Sequence, residues 1–225
     1  MTIYDRRSLL AALGGVATAT LAGCSDSSES ETLYAGDTGT VDGLDMTLLA
    51  GSLQSSVTVT PRGASGDGGT ETATEGTPTT RTIESREGRQ FVVTVLELSN
   101  GTDEPLGVPM PGGTVISEGE IYLHQRGTES DPADENLTQV PVEGDAPLTV
   151  DGRYTHDGTT YDRLTLALGA YQAELPAGES VAGWILYDIG AEVTADRLKL
   201  VADLDPQAIG KRAEWELGAP GTATE

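Results

Sequence analysis

The chain has 225 residues, a formal net charge of −23 and a single cysteine. Such acidity argues against nucleic acid as a partner, because binding it takes basic surface that displaces counterions from phosphate. One cysteine leaves no intramolecular disulfide.

In chain order, the first element is Arg6 and Arg7 followed by an apolar run from Leu9 to about Ala22, the layout of a secretory signal with a positive start. Gly14, Gly15, Thr18 and Thr20 dilute the run, which falls short of the about 20 apolar residues of a membrane span. The pair Arg6-Arg7 before Ser8, Leu9 and Leu10 resembles a twin-arginine export signal, with Leu9 where Phe is usual. The run ends in Leu21-Ala22-Gly23-Cys24, which resembles the lipobox of lipoprotein precursors. That resemblance implies cleavage before Cys24 and a lipid on its thiol, so the membrane is the expected partner and the extracellular face of the cell membrane the expected location. Two acyl chains anchor stably where one does not.

Residues 24–39, rich in Ser, Asp, Glu, Thr and Gly, read as a lipidated, flexible spacer after the signal of residues 1–23. Residues 40–217 then read as one all-β domain. Leu44, Met46 and Leu48 alternate in a first strand, and Val57 and Val59 in a second. Residues 62–86 are too polar to bury anything and read as a disordered insertion.

Beyond the insertion, RQFVVTVLELSN is apolar on both alternating faces, as in a central strand, and Asn100-Gly101 marks a turn. EIYLHQ sets Ile121 and Leu123 against Tyr122 and His124. DRLTLALGAYQAEL reads as a strand with Leu164, Leu166 and Leu168 on one face. ESVAGWILYDIG places Val181, Ile185, Tyr187 and Ile189 on one face around Gly183. DRLKLVADL has Leu198, Leu200 and Leu204 opposite Arg197 and Lys199, and AEWEL sets Trp215 and Leu217 against Glu214 and Glu216; residues 218–225 form a tail. About eight short strands separated by Gly, Pro and Asp turns predict an antiparallel β-sandwich.

FVVTVLELSNGTDEPLGVP and LPAGESVAGWILYDIGAEVTADRLKLV resemble the strand-and-turn pattern of an immunoglobulin-like domain of bacterial and archaeal surface lipoproteins, over most of residues 40–217. That family carries no assigned biochemical function and lends this chain no catalytic residue. The resemblance implies an immunoglobulin-like sandwich. The composition adds a setting: 11 Arg against 2 Lys, with abundant Asp, Glu, Gly and Thr, resembles the proteins of extreme halophiles, particularly haloarchaea. Removing the signal, whose Asp5, Arg6 and Arg7 carry a net +1, leaves −24 on the mature chain. In molar salt the screening length is about 3 Å, which makes such a surface tolerable.

Catalytic motifs are sparse. His124 and His156 are the only histidines, and GES at residues 178–180 reads as a turn, not as part of a nucleophile elbow. A blue-copper site fails because its cysteine is the lipobox Cys24. The clusters containing Asp131 and Asp134, and Asp151 and Asp157, offer oxygens for calcium but lack the spacing of its twelve-residue loop. No metal and no cofactor are assigned. Asn100 and Asn136 head N-glycosylation patterns in expected loops. The reading is a non-enzymatic surface module, binding or structural, with an envelope protein as candidate partner. The alternative is a solute-capturing or accessory lipoprotein serving a transporter or an envelope enzyme.

Overall fold

The computed structural model describes residues 32–62, 80–111, 119–126, 139–140, 148–150, 152–170, 174–204 and 211–218. In the first half of the chain the strands are β1 (Thr38–Val41), β2 (Leu44–Gln54), β3 (Ser56–Thr60), β4 (Arg81–Glu84), β5 (Arg89–Asn100), β6 (Leu106–Gly107) and β7 (Met110–Pro111). Then come β8 (Glu120–Gln125), β9 (Gln139–Val140), β10 (Leu148–Thr149), β11 (Arg153–His156) and β12 (Thr159–Tyr161). A short helix α1 (Leu164–Gly169) precedes β13 (Glu174–Leu175), β14 (Ser180–Gly190), β15 (Leu198–Asp203) and β16 (Arg212–Glu216). Among the described residues the fold is mostly β, and its strands pair antiparallel except where β7 joins β8 in parallel and at two isolated bridges.

Three four-stranded sheets make up the body, in the orders β1-β2-β5-β14, β12-β11-β3-β4 and β16-β15-β8-β7. The first is central, because each of its faces carries an apolar cluster. Val92, Leu96 and Leu98 of β5, with Ile185, Tyr187 and Ile189 of β14, meet Ile121, Leu123, Leu198, Leu200 and Trp215 of the β8–β15–β16 sheet. The opposite face, with Phe91, Val93, Val95, Trp184 and Leu186, meets Val57, Val59 and Ile83 of the β3–β4 sheet. This double burial explains why β5 reads as apolar on both faces.

β2 serves both faces by changing its alternation partway. Its register against β5 shifts between Leu48 and Ala50. Before this bulge the even-numbered Leu44, Met46 and Leu48 point into the larger cluster; after it Leu53 does, while Leu49 and Ala50 pack on the smaller one. An extra residue is what such a reversal requires, since a one-residue shift exchanges the faces of a strand. Two hairpins use the same turn. Asp42-Gly43 joins β1 to β2 and Asp157-Gly158 joins β11 to β12, all four residues at positive φ. Asp-Gly is the pair that a mirror-image two-residue turn favours.

Three expectations change. Residues 164–168 form a helix rather than a strand: Leu164 and Leu168, four apart, are buried, whereas Leu166 is 40% exposed. The Leu-x-Leu-x-Leu spacing is compatible with either period, and packing against β14 decides it. The polar insertion ends earlier than residue 86, because β4 pairs with β3 and buries Ile83. The folded domain starts before residue 40. Leu33 bridges to Trp215, its carbonyl accepts from the Glu216 N–H at 2.8 Å, and it packs on the larger cluster.

The approach of α1 depends on Gly183. A Cβ at this position would lie 2.5 Å from Leu164 Cα and 2.8 Å from its backbone nitrogen. The neighbouring Trp184 N–H donates to Asp162 O at 3.0 Å, so the segment entering the helix covers the edge of β14. Trp184 ties the layers together. Its Nε1 donates to Gly152 O at 3.2 Å, its ring lies 5.6 Å from that of Tyr154, and the Arg163 guanidinium sits 4.7 Å over it. Burial lowers the Arg163 pKa to about 10, opposed by the Tyr187 hydroxyl. The substitution Gly183→Ala pushes against backbone that cannot rotate aside, and it is expected to cost about 1–3 kcal/mol. Equilibrium denaturation checks this; a variant as stable as the wild type would contradict the close approach.

Candidate functional site

The β8–β15–β16 sheet turns Ile121, Leu123, Leu198, Leu200, Ala213 and Trp215 inward, so alternation directs the intervening residues outward. The register sets them in rows. Tyr122, Val201 and Glu214 align across the three strands, as do His124, Lys199 and Glu216. Arg126 follows β8 directly, with Arg197 beside it: Arg197 Nη2 donates to the Arg126 carbonyl at 3.2 Å. At the other end Glu120, Asp203 and Arg212 share a row.

These side chains form a ladder of alternating charge. Arg126 donates to Glu216, which lies 3.5 Å from Lys199 Nζ; Lys199 in turn donates to Glu214 Oε2 at 2.8 Å. Arg212 Nε closes the series at 2.8 Å from Glu214 Oε1. The two carboxylates are largely buried, with side chains 15% and 10% exposed for Glu214 and Glu216, while Arg126 and Arg212 remain 51% and 53% exposed. Pairing of this kind answers the cost of burying two acids on a sheet face. Burial alone would raise the Glu214 pKa; the Lys199 hydrogen bond and the charges of Lys199, Arg212 and His124 outweigh it and hold the carboxyl below its usual 4.5. Desolvation, then the charge of Asp203, raises the Tyr122 pKa.

A concavity of about 370 Å³ opens over this face, lined by Tyr122, His124, Arg126, Lys199, Val201, Arg212 and Glu214. Arg126, Lys199 and Arg212 bring N–H donors to the lining beside the Glu214 carboxylate, and Tyr122 and the buried Val201 bring its apolar surface. That combination suits a small polar ligand with both an apolar face and an anionic group.

The residues singled out from sequence fare differently. Cys24, Arg6, Arg7, Asn136, Asp131, Asp134 and Asp151 lie outside the described residues. Asn100 is not in a loop: it ends β5, fully buried. Its Nδ2 donates to Glu104 O at 2.7 Å and Leu175 O at 2.9 Å, and its Oδ1 accepts from the Thr102 backbone N–H and hydroxyl. The nitrogen a glycan would need is thus committed to fastening the turn after β5. Asp157 is a hairpin-turn residue at φ 47°, with its carboxylate 3.4 Å from His156 Nε2. Among the described residues no three His, Cys, Asp or Glu side chains converge as a metal site. His124 lines the concavity, whereas His156 stands apart at the β11 turn.

No family model and no curated protein matches the chain. Among solved structures it is similar to the yjhA protein from Bacillus subtilis, at 10% identity and a TM-score of 0.41, over 83% of this chain and 100% of that one. An uncharacterized β-sandwich protein from Clostridium difficile 630 is similar at 10% identity and a TM-score of 0.40, over 86% and 99% of the two chains. A conserved hypothetical protein from Bacillus anthracis is similar at 13% identity and a TM-score of 0.37, over 81% and 94%.

The ladder makes stability depend on acid. A carboxyl with a depressed folded pKa stabilises fully above its unfolded value, here 4.5, and that contribution disappears as pH falls through the lower folded value. In molar salt, where general charge repulsion is screened, the melting temperature of the wild type is expected to fall as pH drops below 4.5. Glu214→Gln should show a smaller fall over the same range. Parallel curves for the two proteins would remove Glu214 from the account.

Proposed function

We propose that this is an exported protein, anchored by lipid on Cys24 to the outer face of the cell membrane, which acts without catalysis as a surface binding module. The observation that carries the reading is the sequence Leu21-Ala22-Gly23-Cys24, at the end of an apolar run that Arg6 and Arg7 open. The folded domain is in place by Leu33. Nine residues of extended chain span at most about 30 Å, so a lipid on Cys24 keeps the domain close to the membrane surface.

The acidic, arginine-biased composition supports a high-salt setting and twin-arginine export as part of the same proposal. The finer fold assignment, an immunoglobulin-like domain of the surface-lipoprotein kind, rests on the resemblance of residues 91–109 and 175–201. The donor-lined concavity favours binding over a purely structural part. It also serves the alternative, an accessory lipoprotein that captures solute for a transporter or an envelope enzyme.

Fractionation of native host cells tests the anchor. The wild type is expected in the membrane fraction in molar salt, and Cys24→Ala in the soluble or released fraction. Equal membrane retention of the two forms would overturn lipidation.

A further inference from the structure

Charge is unevenly distributed over the outer face of the β8–β15–β16 sheet. Among the described residues, one end holds Arg126, Arg197 and Lys199, with the His124 imidazole, beside the carboxylate of Glu216. The other end sets Arg212 among Glu120, Asp203 and Glu214. Between the two lie the half-buried Tyr122 and the buried Val201. On a chain of net charge −23, three cations set beside one carboxylate make this the cation-richer end of the face among the described residues.

The ladder does not need all of the donors it contains. Lys199 stands between Glu214 and Glu216 and reaches both, at 2.8 Å and 3.5 Å. Glu216 therefore keeps a cation when Arg126 is withdrawn. Arg126 is half exposed and engages Glu216 through Nη2, and a guanidinium carries five N–H donors in a fork that fits a carboxylate. Arg126 is also one of the residues that line the concavity.

We infer that this concavity binds a uronic-acid saccharide, with the ligand carboxylate held at the Arg126, Lys199 and His124 end and a sugar ring lying against Tyr122 and Val201. The inference rests on the reading of the chain as a binding module in a high-salt setting and is independent of the lipid anchor. Two features narrow the class. A free anion gains little at molar salt, where attraction beyond about 3 Å is screened and the medium's own anions compete for the donors. A sugar adds direct contact, through its C–H face on the tyrosine ring and through hydroxyls that pair with the remaining donors. The volume of about 370 Å³ falls at the lower end of small-ligand sites, which suits one or two sugar units of a chain passing across an open face.

Calorimetric titration of the full chain in detergent and molar potassium chloride tests this with three probes: trigalacturonate, maltotriose as a neutral sugar, and triglutamate as a carboxylate without a ring. Trigalacturonate is expected to bind at least tenfold more tightly than either of the others. Arg126→Gln and Tyr122→Leu should each weaken it at least tenfold while the melting temperature stays near that of the wild type, Tyr122→Leu serving if Arg126→Gln fails to fold. Equal affinity for triglutamate, no binding of trigalacturonate, or full affinity in folded variants would each overturn the saccharide. Such a failure leaves the anchor result unchanged, so the two readings fail separately.

Discussion

The structure depends on the antiparallel pairing of β5 with β14, an unbroken register from Ser180 opposite Ser99 to Gly190 opposite Arg89. Both strands are buried on both faces, so they form one layer shared by two apolar clusters. Several of the described elements answer to that demand. β2 bulges to keep apolar side chains on each face, α1 and its leading residues close the edge of β14, and Trp184 of β14 gathers Tyr154 of β11 and Arg163 at the α1 entry around its indole. Charged groups confirm how firmly the pair is held. Asp188, buried in β14, accepts from Arg86 at 2.6 Å and lies 3.1 Å from Arg89 Nε, so the turn ahead of β5 is fastened to its partner strand.

A firm central layer leaves the β8–β15–β16 sheet with one face committed to the core and the other open. The committed face fixes the open one, because alternation along three registered strands places Tyr122, Lys199 and Glu214 with the same certainty as Leu123, Leu200 and Trp215. The alternating charges then hold their geometry largely out of solvent at the two glutamates. In high salt, surface pairs lose most of their strength, and burial is what preserves this ladder. The result is a preformed outer face whose charged groups are held in place without a moving part.

Much of this was legible in the sequence, and the parts that were not share a cause. The strands read from alternation at Leu44, Val57, Phe91, Ile121, Val181, Leu198 and Trp215 all exist, because one- or two-sided burial writes itself into the pattern of a strand. The helix at Leu164 was misread because six residues carry too little period to separate 3.6 from 2. β4 was hidden by its setting, a lone apolar Ile83 at the end of a long polar stretch. Asn100 reads as a turn residue and is one of the most buried polar groups, since a turn can be fastened from inside. Tyr122, His124, Lys199 and Glu214 were each placed on an outward face by alternation. Their meeting in one concavity required the order β16-β15-β8, which joins strands about 80 residues apart and leaves no local trace in the sequence.

The measurement that tests this account most directly is native-state hydrogen exchange in molar salt, resolved by residue. The slowest amides are expected in the middle of β5 and β14, with those of β8 and β15 opening only together with them, as one cooperative unit. Fast, independent exchange across β8, β15 and β16 would contradict the account, because the outer sheet would then not be a fixed platform carried by the central pair.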